Sequence, residues 1–228
     1  MRYPPSCFAL LFCSLLTIAW AGCALPVSVH PASDAETSSV DEKLVGIWEK
    51  VLTEKERAEL AAEGETHSSQ PFPVPFRMVV GKHPDEKNLH QIAVSSLNDE
   101  GVISNALITL HSGQLGKQRV MSFIVNPDKP KEEQVYLLLF YKYVNDRQME
   151  LRFLDAKLLG NSIEKGELSG IVKKEERKPD EAPDAPPRYR EVKITAPTKE
   201  LATFLEKNGE KLITKEQPLV MRKVSPQL

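Results

Sequence analysis

The chain predicts a mainly β, antiparallel fold with two or three short helices, one of them directly before the last strand. Two observations carry this reading. Short apolar or alternating runs recur from residue 44 onward, each bounded by clusters of Gly, Pro, Asn or Asp. Helical punctuation occurs at only a few places between them. With 228 residues the chain fits one large domain or two small ones, and all-β domains of this length commonly stay single.

The elements follow in order. Leu44–Leu52 alternates as a strand. Thr53-Glu-Lys-Glu56 is a capping box: the Thr hydroxyl can accept from the amide three residues on, and Glu56 can reach back. Gly64 stops that short helix. Four strands come next, Val74–Lys82, Leu89–Leu97, Val102–His111 and Lys117–Val125, with turns expected at 83–88, 98–101, Ser112-Gly113 and 126–130. Val135–Val144 and Gln148–Leu154 form a hairpin over Asn145-Asp146-Arg147. The run from Val135 to Tyr141 is apolar on both parities, so both faces of that strand must be covered. Asp155 caps a helix with a stripe of Leu158, Leu159 and Ile163, and Gly166 ends it. Leu168–Lys174 and Tyr189–Thr195 are strands on either side of a charged loop at 175–188. Four prolines there remove ladder donors and predict a mobile excursion. Thr198 opens a helix with a stripe of Leu201, Phe204, Leu205 and Leu212, and Gly209 is expected to end its first stretch. Leu219–Val224 closes the fold.

Charge sets limits on function. Thirty Lys and Arg against 32 Asp and Glu give a net charge of -2. No cation excess is present to neutralise phosphates, so a generally basic nucleic-acid binder is excluded. An acidic disordered chain is excluded too, because 41% of the residues are hydrophobic.

The first residues address the chain. Arg2 is the only charge before His30, and an apolar run from Phe8 to Trp20 is followed by the small residues Ala21-Gly22 and then Cys23. This is the layout of a secretory signal peptide. Ala21-Gly22-Cys23 resembles the lipobox of bacterial lipoproteins, with Trp20 standing where Leu is usual. The resemblance implies cleavage after Gly22 and a diacylglycerol on the Cys23 sulfur. Since Ala24 follows rather than Asp, it also implies the outer membrane in preference to the inner. An uncleaved anchor and a plain cleaved signal are the alternatives, although no Lys or Arg follows the run to stop transfer. The other cysteines, Cys7 and Cys13, lie inside the signal, which leaves no thiol for a disulfide, metal or nucleophile. The organisation expected is therefore a signal peptide at 1–22, a lipidated flexible tether at 23–40 and a single domain at 41–228. The tether rests on a Ser/Pro/Ala-rich stretch without periodicity.

Gly46-Ile47-Trp48 at the start of the first strand resembles the Gly-x-Trp opening of lipocalins and other calycins. That resemblance implies an antiparallel up-and-down barrel plugged by Trp48, with Arg222 from the last strand stacked on the indole. A sandwich or half-open sheet with Trp48 as an ordinary core residue is the alternative.

Candidate chemistry is sparse. His83 and His90 flank one hairpin that holds Asp85 and Glu86, but their spacing matches no established metal site and an exposed polar turn explains it equally. Ser95, Ser96, Ser104 and Ser122 lie in strands without a histidine beside them in sequence, and no nucleophile elbow, Walker loop or zinc-protease motif occurs. Tyr136, Phe140, Tyr141 and Tyr143 form an aromatic band, read as barrel wall. No catalytic residue, metal or cofactor is assigned. The expected protein is a lipid-anchored, non-enzymatic envelope protein that binds a small apolar ligand. The alternatives are a filled barrel that contacts another envelope protein, or a hydrolase on a β scaffold. Its partners are the membrane through Cys23, and then that ligand or protein; nucleic acid is not among them.

Overall fold

The computed structural model describes residues 25–34, 36–58, 77–97, 103–127, 129–176, 188–215 and 217–224. Its strands are β1 (Val27–Ser28), β2 (Gly46–Lys50), β3 (Arg77–Lys82), β4 (His90–Leu97), β5 (Ile103–Leu115), β6 (Gln118–Ile124), β7 (Tyr136–Asn145), β8 (Gln148–Phe153), β9 (Gly170–Lys174), β10 (Tyr189–Ile194) and β11 (Leu219–Val224). Two helices, α1 (Ala156–Glu164) and α2 (Thr198–Leu212), lie between β8 and β11, and a helical run occupies 54–58.

Eight of these strands close an antiparallel barrel. β2 through β8 pair each with the next, β11 inserts between β8 and β2, and the β6–β7 pairing completes the ring. The connectivity is an up-and-down meander in which β3 to β8 follow one another over short links, whereas long segments separate β2 from β3 and β8 from β11. Side chains alternate across the wall because the strand period is two. Trp48, Met78, Ile92, Leu110, Met121, Leu139, Met149 and Met221 point inward and form one packed cluster along the interior.

β7 explains the rest of the architecture. Its inner face joins the barrel core through Leu137, Leu139 and Tyr141, while Leu138 and Phe140 face outward into a second cluster. The segment between β8 and β11 covers that outer face, contributing Leu159 from α1, Tyr189, Val192 and Ile194 from β10, and Leu201 and Leu205 from α2. A strand apolar on both parities requires this double burial. β1 branches the sheet by pairing antiparallel with β7 and parallel with β10, which carries β9 at its edge.

Local signals in the sequence set the helix ends. The Asp155 carboxylate accepts from the Leu158 amide at 3.0 Å. At the far end Gly166 takes φ +71°, its N–H donates to Ile163 O at 2.9 Å and the Glu167 N–H donates to Ser162 O at 2.9 Å. This pair of bonds is a Schellman cap. The box at residue 53 closes as read: the Glu56 amide donates to Thr53 Oγ1 at 3.2 Å and the Thr53 amide to Glu56 Oε2 at 2.9 Å.

Five expectations are corrected. The segment taken as a free tether is folded from residue 25: Ser28, Ala32, Ser33 and Ser38 are buried against the barrel, and β1 lies within it. Backbone pairing of β1 with β7 and β10 holds its start, and short polar side chains matched to specific partners hold the remainder, which carries no periodicity. Secondly, Ser112-Gly113 is not a turn. β5 runs on to Leu115, and the reversal falls at Gly116, whose φ is +58°. Gly113 serves a crossing instead, since a Cβ there would lie 2.9 Å from Ser33 Cβ. Thirdly, Gly209 does not stop α2, which continues to Leu212. A Cβ there would meet Gln118 Oε1 at 2.3 Å and Phe140 Cζ at 2.7 Å, so the glycine lets the helix lie close on the wall. Lastly, Pro197 rather than Thr198 occupies the N-cap position of α2, and Leu158 of the α1 stripe is exposed. The stop at Gly64 and all but the ends of the 175–188 loop lie outside the described residues.

Gly160 lets α1 lie close against the side layer. A Cβ at this position would sit 2.6 to 2.9 Å from three ring atoms of Tyr189. That ring cannot withdraw, because it is fully buried and its hydroxyl donates to Asn161 Oδ1 at 2.9 Å. Gly160→Ala should therefore destabilise by about 1–3 kcal/mol, despite the higher helix propensity of alanine. Urea unfolding checks this, and a stabilised variant would refute the packing argument.

Candidate functional site: the two ends of the barrel

One end of the barrel is closed by the chain itself. Trp48 is fully buried, and its indole N–H donates to Leu44 O at 2.7 Å. Gly46 has φ +139°, and a Cβ there would meet Lys223 Cε at 2.6 Å. The Lys223 stem thus passes over the glycine, its Nζ stands 5.4 Å from the Trp48 ring centroid and donates to Lys43 O at 3.0 Å. The expected partner, Arg222, is one position away. In the β11–β2 register Lys223 faces Trp48 and Arg222 faces Glu49. Period-two alternation therefore puts the lysine on the interior side and leaves Arg222 outside, 4.0 Å from a Glu49 oxygen.

Asp41 is the polar centre of this plug. Its Oδ2 accepts from the Tyr141 hydroxyl at 2.9 Å and the Tyr143 hydroxyl at 3.0 Å, with Arg119 Nε at 3.6 Å. Burial, with the Asp41 charge next, pushes both tyrosines far above their ordinary range, so they remain neutral donors. The guanidinium of Arg119 also lies 5.3 Å from the Tyr143 centroid. The aromatic band read from the sequence accordingly divides. Tyr141 and Tyr143 turn inward to Asp41, whereas Tyr136 and Phe140 turn outward. Their two-residue spacing was the available signal for this pairing, and nothing in the sequence identified Asp41 as its acceptor.

His90 sits in the same plug. Its Nε2 accepts from the Asp41 amide at 3.0 Å, so Nδ1 carries the proton. His83 stays at the hairpin, where its Nδ1 accepts from the Glu86 amide at 3.1 Å. Among the described residues no group of three or more His, Cys, Asp or Glu is arranged to hold a metal. His111 lies on the outer wall under residues 33–38. It stands edge-on to Tyr136 at 5.7 Å, with Nδ1 3.4 Å from Ser38 Oγ. That serine donates to Ser33 Oγ at 3.0 Å, so the group reads as a clamp on the crossing segment rather than an activated nucleophile. Ser122 has the same use, accepting from the Ala32 amide at 3.0 Å. The side chains of Ser95, Ser96 and Ser104 lie outside those described.

Burial holds His90 and His111 below the ordinary histidine range. An unfolded chain takes up protons near pH 6.5 that these folded imidazoles refuse. Their contribution to stability is thus complete above that pH and is lost as pH falls below it, by at most about 1.4 kcal/mol per unit for each histidine. The urea midpoint should be lower at pH 5.5 than at pH 7.5, and His90→Gln should flatten the dependence. An unchanged slope in that variant would show that His90 does not titrate in this window.

At the opposite end, where β6 and β8 finish, Leu25, Val125 and Phe153 pack half-buried on the interior core. Leu25 belongs to the segment that then passes through β1 and crosses the outer wall to reach Asp41. Cys23, the expected lipid-attachment residue, lies outside the described residues, as does the whole expected signal peptide. Among the described residues no helix is long and apolar enough to cross a membrane. Comparison with protein-family models, curated proteins and solved structures returns no match to the chain.

Proposed function

We propose that the protein is a lipid-anchored envelope protein, held through Cys23 at the outer membrane, whose barrel is a filled, non-enzymatic scaffold that contacts another envelope protein through its surface. The packed interior carries this reading. Trp48, Met78, Ile92, Leu110, Met121, Phe123, Leu139 and Met149 are buried against one another inside the barrel, and barrels of this size can be filled by side chains alone. The filled form is thereby favoured over the reading as a carrier of a small apolar ligand, whose pocket would need apolar walls around open space. The meander of eight strands and the Gly46–Trp48 plug support a likeness to calycins. The charge-mixed surface and the polar clusters, each used to hold chain against chain, support a binding role over catalysis.

Two measurements test this. Cys23→Ser should abolish acyl labelling and leave uncleaved precursor, and persistent labelling would refute the anchor. Native mass spectrometry of the barrel purified without the signal should show the bare protein mass. A co-purifying lipid would overturn the filled scaffold in favour of the ligand carrier.

A further inference from the structure

The proposed anchor and the fold meet within two residues. Leu25 packs on the interior core, Val27 pairs with Leu137 of β7 and Lys193 of β10, and Ser28 is fully buried. The Val29 amide donates to Ile194 O at 2.9 Å and the Ala32 amide to Ser122 Oγ at 3.0 Å. The polypeptide is therefore held from residue 25 onward. Successive Cα atoms are about 3.8 Å apart, so Cys23 stands within about 7.6 Å of Leu25 whatever conformation the intervening residue takes. A lipid on Cys23 has its glycerol at the head-group boundary. No spacer separates that boundary from the barrel.

We propose that the barrel sits directly on the bilayer through its Leu25 end, with the Cys23 lipid as a pin rather than a tether. This rests on the lipoprotein reading above. The end that meets the lipid holds Leu25, Val125, Phe153 and the 126–135 connection. The end plugged by Trp48 and Asp41 then points away from the membrane. Its turn at Asn145–Arg147 stands at the other end of β7, which over its length, tilted as barrel strands are, lies about 25 Å farther out. The surface offered to an envelope partner is the plugged end, in one fixed orientation.

The test uses the full lipidated chain in phosphatidylethanolamine–phosphatidylglycerol vesicles that carry a nitroxide on the lipid head group. Lys129→Cys and Asp146→Cys place a fluorophore at the two ends, both on exposed side chains, and no cysteine follows Cys23 in the natural sequence. Quenching at 129 should exceed that at 146 severalfold. Insertion of roughly a dozen Gly-Ser residues after Ala24 should erase the difference, because a coil of that length lets the barrel tumble clear. Equal quenching at both sites without the insertion, or stronger quenching at 146, overturns the docking. Mass spectrometry of the Cys23 peptide from the same sample separates the two ideas. Acylated protein with equal quenching overturns the docking alone, whereas an unacylated Cys23 overturns the anchor and the docking with it.

Discussion

Trp48→Ala should lose about 3–5 kcal/mol, enough to leave the barrel largely unfolded if its stability is ordinary for a domain. The indole is fully buried, and its removal empties the volume against Tyr143, whose ring centroid is 6.5 Å away. It also strands two polar partners. Leu44 O loses the N–H that donates to it at 2.7 Å, and the Lys223 ammonium loses the ring face beneath it. Trp48→Phe keeps most of the volume and the ring face but not the donor, so it should cost markedly less. Urea unfolding of both variants, with far-ultraviolet circular dichroism to establish that each folds, measures the difference. A Trp48→Ala midpoint near that of the natural protein would mean that the plug is not part of the cooperative core.

Strand existence was legible because nearly every barrel strand carries its own period and its own turn residues. The double burial of β7 was legible from an apolar run on both parities. These are local signals, and local signals locate elements well. What escaped was information held between distant segments. Between Leu25 and Val40 only the short run Leu25-Pro26-Val27-Ser28-Val29 alternates, too little to mark a docked strand, so the docking of this segment could not be read. β1 pairs with β7 and β10, and past it the partners include the hydroxyls of Ser112 and Ser122 and the missing side chain of Gly113, on strands about 70 to 90 residues away. The same difficulty placed a turn at Gly113 and a helix stop at Gly209. A glycine that supplies φ > 0 and one that admits a close neighbour are identical letters. Only the packed fold shows that Gly116 is of the first kind and Gly113 and Gly209 of the second.

The site divided in the same way. Trp48 was legible from its strand and its neighbouring Gly46. Its cationic partner missed by one residue, because the register of β11 against β2 decides whether Arg222 or Lys223 faces inward, and register is a property of the pair. The carboxylate at the centre of the plug was read as the first residue of the domain. In the fold it is the point at which the crossing segment enters the barrel.

That role gives Asp41→Ala a large expected effect. The carboxylate accepts from two tyrosine hydroxyls that face the interior and stands beside Arg119. Removing it leaves two donors without an acceptor, at about 1–3 kcal/mol for each that water cannot reach. Arg119 is partly exposed and recovers solvation, so its share is small. The sum is about 2–6 kcal/mol. Asp41→Asn should cost less, since the amide oxygen still accepts one hydroxyl, and Tyr143→Phe combined with Asp41→Ala should recover part of the loss by removing one orphaned donor. The backbone should respond as well. The Asp41 amide is anchored on His90, and residues 38–44 connect the outer crossing to Trp48, so their amides should exchange faster in Asp41→Ala while those of β4 to β7 remain protected. Uniform acceleration across the barrel would show that Asp41 holds up the whole fold. A variant as stable as the natural protein, with unchanged exchange at 38–44, would show that the tyrosines find water and that the segment is held by its contacts on the outer wall alone.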